Sequence, residues 1–464
     1  MTFLLRSDET LLHIRVSSTE DGMGITVQTR NDGAQLKRRR ALVAGSVGNF
    51  IEWYEFGVYG FFATIIASNF FSADGSGDLE SLIKTYASFA LAFFRPVGAA
   101  LFGRLGDRIG RRPTLVIVLL LMSGATTLIG VLPTYESVGI LAPLLLTVLR
   151  ILQGLSAGGE FGGAVSVMTE FAPPGRRGLY GSWQSFTVAL GLLAGAGIAA
   201  LLATVLDSGQ LNDWGWRIPF LLALPMGLVA LWLRLRLEET PSFERARAVQ
   251  SEPTVDAATP VVQPTVGETA RAILLGIGRL MGWSAAGYTF LVVMPTYLQS
   301  SLNATFHQAL VASVLANAGF AVTIPLAGGL SDRIGRRAVM LTGTVLILVL
   351  ALPLLNVLQN EQTSLTAKGF AVFAAGAAVG LVAGPGPAML SEMFPTSVRY
   401  TGLGLAYSLS NAVFSGCAGL IITWLIKETS NLDIPAYFVM ATCAVSAIAL
   451  STLRGNAHKR ALVD

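Results

Sequence analysis

A chain of 464 residues that is 53% hydrophobic and only 13% charged cannot present a water-facing surface, since a soluble domain carries about 25% charged residues. Its net charge of +4 does not mark a nucleic-acid binder, because the basic residues sit in short connections between apolar stretches. Its two cysteines, Cys417 and Cys443, both lie in apolar stretches, which excludes a disulfide framework, a metal cluster and a haem motif.

In chain order, residues 1–40 are polar and lack the long apolar core of a cleavable signal. They are expected to form a cytoplasmic tail without fixed structure. Twelve apolar stretches follow, at 41–69, 84–103, 113–132, 141–171, 178–205, 216–236, 272–299, 308–330, 338–358, 367–393, 400–426 and 434–453. Each is near the ~20 residues that carry a helix through ~30 Å of hydrocarbon. Residues 237–271 contain Pro, Glu and Arg and read as a cytoplasmic linker. The predicted organisation is a six-helix bundle at 41–236, the linker, a second bundle at 272–453 and a cytoplasmic tail at 454–464.

Lysine and arginine fall unevenly. The tails and the connections on the N-terminal side hold most of the 32, while the opposite connections hold only Lys84, Arg217, Lys368 and Lys427. The positive side stays in the cytoplasm. Both termini and the linker are therefore expected there, which requires an even number of spans.

The connection after span two reads Gly103-Arg-Leu-Gly-Asp107-Arg108-Ile-Gly110-Arg111-Arg112. The connection after span eight reads Gly328-Gly-Leu-Ser-Asp332-Arg333-Ile-Gly335-Arg336-Arg337. A second matched pair follows each: Glu170-Phe-Ala-Pro173 ahead of Arg177, and Glu392-Met-Phe-Pro395 ahead of Arg399, at nearly the same offset. The chain is thus two related halves, an arrangement that places a substrate site between them near the bilayer midplane. These charges are gate candidates, with Asp107 expected to pair with Arg177 and Asp332 with Arg399 to hold the inner side shut. The bland alternative is that they only enforce topology.

Ionisable groups inside spans are costly unless paired or hydrated, so each is a functional candidate. Span one carries Glu52, Glu55 and Tyr59 at i, i+3 and i+7, on one helical face. Glu55 first and Glu52 second are proton-site candidates; the alternative is a structural salt bridge to Arg95 or Arg150. Arg95 offers a planar fork that matches a carboxylate. It is the candidate substrate anchor, or else a fixed partner for a span-one glutamate. Both roles held in turn would couple substrate to proton. Span four carries Arg150, Gln153 and Glu160 beside a strip of glycines; Arg150 and Glu160 are further proton-coupling candidates, the alternative for Glu160 being that it faces the outer cavity. Gln184, Tyr288, Asn317, Tyr407 and Asn411 are polar groups for substrate or for helix–helix hydrogen bonds. Arg279 is expected to snorkel, and Gly384-Pro385-Gly386-Pro387 to break span ten as a flexing gate.

The tandem loops resemble those of the major facilitator superfamily. Gly48-Asn-Phe-Ile-Glu52-Trp53-Tyr54-Glu55-Phe56-Gly57, Phe94-Arg95-Pro96-Val-Gly98, Arg150-Ile-Leu-Gln153-Gly154 through Glu160-Phe161, and Trp214-Gly-Trp216-Arg217 resemble its metabolite:proton symporters. The resemblance runs from 41 to 453. It implies an all-α fold of twelve transmembrane helices in two pseudo-symmetric bundles. It also implies a monomeric inner-membrane symporter that needs no cofactor and takes a small carboxylate or zwitterion with H+. Arg150 matches the superfamily's span-four arginine, often tied to proton coupling. Leu237-Glu-Glu-Thr-Pro-Ser-Phe243 resembles the proline/betaine branch, and 392–414 the dicarboxylate branch. Glu55 stands where the family usually has Asp. With few residues after span twelve, an osmosensing coiled-coil tail is not expected.

Rival readings have less behind them. An enzyme would need catalytic residues, and His13, His307 and His458 are not placed for it. A drug:proton antiporter would carry a Gly-Pro break in span five, which is absent. A sugar uniporter has no need of buried carboxylates and arginines. A sensor would need a signalling domain. Shikimate, citrate and aromatic acids remain alternative substrates.

Overall fold

The computed structural model describes residues 2–7, 10–19, 22–30, 32–71, 80–85, 94–109, 111–170, 172–173, 175–235, 265–395 and 399–453. For residues 2–45, 103–104, 106–109, 111–112, 166–167, 170 and 400 the description is of backbone alone. Among the described residues, nine helical segments are long and apolar enough to cross a membrane. Three further helical runs stand at spans one, two and seven. These are Asp32–Phe61 with Ala63–Phe70, Arg95–Ile109, and Val266–Tyr288 continued through a π-helical turn to Leu302. Among the described residues, the membrane body is therefore helical at each of the twelve expected positions.

Several helices start ahead of the expected residue, and three of them do so at a capping box. Asp207 and Gln210 start span six at Ser208. Thr265 and Glu268 start span seven at Val266, inside the stretch read as linker. Thr305 and Gln308 start span eight at Phe306. Backbone bonding to Thr265 lowers the Glu268 carboxyl pKa.

The N-terminal tail also differs. It is not without structure: Thr2–Ser7, Thr10–Thr19 and Gly22–Arg30 form a three-stranded antiparallel sheet in sequential order. Leu12, Ile14 and Val16 alternate with polar residues, as do Ile25 and Val27, which is the period-two pattern of a strand.

The same crossing device recurs in both halves. A Cβ at Gly98 would collide with the Leu155 carbonyl, and one at Gly158 with that of Arg95, so spans two and four cross backbone to backbone. Gly319 against Phe373 and Gly376 against Ala316 bring spans eight and ten together likewise. Small residues permit this approach where lipid provides no hydrophobic drive. The halves meet along spans five and eight and along spans two and eleven. Large apolar side chains such as Leu101, Leu201, Val229 and Ile448 stay exposed outside, as a lipid-facing surface requires.

Candidate functional site

Between the halves lies a small cavity. Trp53, Val188 and Leu192 line it from the first half. Trp283, Ser284, Tyr288, Phe320, Tyr407, Asn411 and Ser415 are among those lining it from the second. Spans seven and eleven each pass into a π-helical turn there, at Thr289–Val293 and Ala412–Gly416. Ser415 donates to the Ser284 carbonyl at 3.0 Å and to Asn411 Oδ1 at 3.1 Å, and the Ser284 and Ser410 hydroxyls are 3.0 Å apart. The wall is thus aromatic with one neutral polar corner.

Behind Trp53 sits a buried ion pair. Arg95 Nη2 is 2.7 Å from Glu52 Oε1. The guanidinium also lies 4.6 Å from the Phe56 ring centroid and 5.5 Å from that of Trp53, within cation–π range. In this state Arg95 is paired with Glu52 of span one.

Deeper in the first half runs a second polar chain. Glu55 Oε2 accepts from the Thr126 hydroxyl at 2.6 Å. Thr126 accepts from Gln153 Nε2, and Gln153 Oε1 accepts from Arg150 Nη1 at 2.6 Å. Arg150 lies 3.9 Å over the Tyr59 ring. Glu55 Oε1 is buried with no hydrogen-bond partner among the described residues. A third pair joins Glu160 to Arg234, both buried, and Arg234 also donates to the Leu115 carbonyl at 2.6 Å.

At the end that carries the repeated loops, the halves are clasped. Asp332 accepts from the backbone N–H groups of Gly178 and Leu179, at 2.8 and 2.9 Å, at the start of span five. Its charge meets the positive end of that helix. Arg336 bonds Asp332 at 2.8 Å and Glu392 at 3.1 Å, and Arg177 reaches Glu392 at 3.7 Å. The expected Asp332–Arg399 pair is replaced: Arg399 donates from Nε to the Ser391 and Phe394 carbonyls. Arg333 is exposed. The side chains of Asp107, Arg108, Arg111 and Glu170 lie outside the described residues, so the Asp107–Arg177 pair does too. At the opposite end, Phe62 packs on Phe306 with ring centroids 5.7 Å apart, and Gly60 abuts Val292. Cross-half contacts thus occur at both ends of the cavity.

Of the expected substrate residues, Tyr288 and Asn411 line the cavity and Arg95 stands one ring behind it. Four others do not line it. Tyr59 and Gln153 hold Arg150, and Gln184 bonds Asn49 across spans one and five. Asn317 donates to the Leu291 carbonyl in the π turn at 3.3 Å. Glu55 also faces span three rather than the cavity. Arg279 does not snorkel; it is buried and bonds Ala449 and Thr452 on span twelve. Sequence reasoning missed Thr126, Trp283, Ser284, Ser415 and Arg234. The arginine had a signal, since it lies within the predicted span six.

The chain matches the model of a family described as sugar (and other) transporters over residues 41–453. It is 35% identical over 428 residues to the proline/betaine transporter of Escherichia coli (strain K12), covering 91% of this chain and 85% of that protein. It is 35% identical over 426 residues to the citrate-proton symporter of Klebsiella pneumoniae, covering 89% and 94%. Its fold resembles the partially occluded inward-open structure of the xylose transporter XylE from E. coli, with a TM-score of 0.70 at 18% identity, covering 89% of this chain and 97% of that one.

Proposed function

This chain belongs to the family of sugar (and other) transporters, and from that premise we propose that it is a proton-coupled symporter importing a small zwitterionic carboxylate by alternating access. The observation that carries the reading is the buried Arg95–Glu52 pair behind an aromatic cavity wall. A substrate carboxylate entering beside Trp53 competes with Glu52 for the Arg95 fork. Glu52, displaced, would be a buried charge without a partner, which costs several kcal/mol. A proton taken from the outer side removes that cost. Substrate and proton thus favour each other's binding. When the inner side opens, the proton leaves, Glu52 recovers Arg95, and the substrate is expelled.

Charge balance and wall chemistry favour a zwitterion over a di- or tricarboxylate. Arg95, Arg150 and Arg234 stand against Glu52, Glu55 and Glu160 in the first half. On the second half, the described cavity wall carries no cation. A dianion would leave one carboxylate unanswered. A substituted ammonium group is instead met by Trp53, Trp283, Tyr288 and Tyr407, whose ring faces attract cations. The proline/betaine relative supports this choice.

The carrier is proposed as a monomer in the cell's inner membrane, with both termini and the loop end cytoplasmic. The structure then represents a state with the loop end latched by Asp332 and the outer end shut by Phe62 and Phe306. The test is uptake by proteoliposomes under an imposed proton gradient, with labelled glycine betaine, proline, 2-oxoglutarate, citrate and shikimate. Betaine or proline should accumulate with acid outside and stop accumulating with a protonophore. Accumulation that ignores the gradient would exclude symport, and accumulation of the dicarboxylate instead would exclude the zwitterion.

A further inference from the structure

We propose that Glu160 is a second proton carrier, the station between Glu52 and the loop end, and that Arg234 is the counter-ion that releases it. The proposal rests on the symport reading and deepens it. Span one brings two buried ion pairs into sequence. Glu52 holds Arg95 at cavity level. One turn earlier on the same face, Gly48 lies against the Glu160–Arg234 pair: a Cβ there would overlap Arg234 Nη2 and Glu160 Oε1. Span four runs toward the loop end, so Glu160 stands between Gln153 and that end.

The two stations are neighbours along span one: Arg234 Nη2 and Glu160 Oε1 both border Gly48, one turn from Glu52. Among the described side chains, the charged groups on the elements beside Glu160 are Arg234 from span six, which bonds it, and Glu52 and Glu55 from span one. Span three contributes no ionisable residue between 113 and 131. Span five contributes Arg177 and span ten Glu392, which bond each other at the loop end. Span eleven contributes Tyr407, stacked on Phe161. Glu160 Oε1 holds Arg234, whereas Oε2 is buried with no hydrogen-bond partner among the described residues. Arg234 has a second acceptor in the Leu115 carbonyl, so it keeps a partner when Glu160 becomes neutral.

The step is a proton transfer. The Glu52 carboxyl gives its proton as Arg95 returns, and Glu160 Oε2 takes it as the Arg234 contact loosens. Glu52 becomes the carboxylate and Glu160 the acid. Glu160 then loses the proton to the cytoplasmic side and Arg234 re-forms the pair.

The test compares Glu160→Gln and the double variant Glu160→Gln/Arg234→Gln with wild type in proteoliposomes, using glycine betaine or proline, whichever wild type accumulates. Two readouts are taken: accumulation driven by a proton gradient, and counterflow at equal pH, which needs no net proton movement. Loss of accumulation with counterflow retained is expected in both. The double variant leaves no buried charge unpaired, so it guards against misfolding of the single one. Accumulation retained or regained in the double variant overturns the proposal, because the pair would then be only a structural salt bridge. Loss of counterflow in the double variant overturns it too. If wild type itself ignores the gradient, the symport reading fails; if wild type responds and the double variant responds equally, only this inference fails.

Discussion

Arg95 is placed by backbone and held by side chains. Gly158 lets span four approach its carbonyl, Glu52 takes its fork, and Phe56 and Trp53 flank its guanidinium. Replacing it with Lys keeps the charge but loses the planar, bidentate donor set. A charged hydrogen bond is worth about 1.5–3 kcal/mol, so the apparent substrate affinity of Arg95→Lys should fall about tenfold or more, as read by equilibrium binding. An unchanged affinity would remove Arg95 from the substrate's path. Trp283→Ala should weaken a quaternary ammonium substrate by about 0.5–2 kcal/mol and spare a neutral analogue of the same shape. Intramembrane charge alone made Glu52, Glu55, Arg95 and Arg150 visible in the sequence. Their pairing was not visible, because which rotamer reaches which partner depends on helix crossing angles. Thr126 was invisible for a different reason: one hydroxyl in an apolar span looks like an ordinary helix-bonded threonine until a carboxylate is found 2.6 Å away.

Span ten shows how an element's defect becomes a contact. Its helix stops at Ala383 and resumes at Gly386. Pro387 has no N–H for the carbonyl four residues earlier, which is that of Ala383. Ser185, on span five of the other half, donates to that carbonyl at 2.7 Å. The break was legible from Gly-Pro-Gly-Pro; the serine that satisfies it was not, since it lies far away in sequence. Ser185→Ala should leave a buried carbonyl bare and cost about 1–3 kcal/mol, lowering the thermal midpoint and loosening the loop end. A midpoint equal to wild type would show that the bond contributes nothing. Span starts were misread for a simpler reason. Asp207, Thr265 and Thr305 cap helices that reach beyond the apolar stretch, and hydropathy marks the hydrocarbon rather than the helix.

Across the whole molecule, the duplicated loops disclosed two halves, and the structure shows what they clasp. The sequence suggested a charge pair between Asp332 and Arg399; the carboxylate instead caps the start of span five across the halves. A helix N-terminus is not an ionisable residue, so pairing charges by eye overlooks it. Asp332→Asn keeps an acceptor oxygen but removes the charge. An anion at a helix start is worth up to about 2 kcal/mol in a partly buried setting. The variant should therefore open the loop end more often, with loop-side cysteine labelling of the cavity increased and uptake reduced. Unchanged labelling would deny the latch.

Coupling at Glu52 is the claim on which the rest depends, and net proton uptake on substrate binding tests it most directly. Purified protein in weakly buffered detergent solution with a pH indicator should take up protons when glycine betaine or proline is added. The Glu52→Gln variant should bind without doing so. Binding by wild type without proton uptake, or the same uptake in Glu52→Gln, would contradict the account.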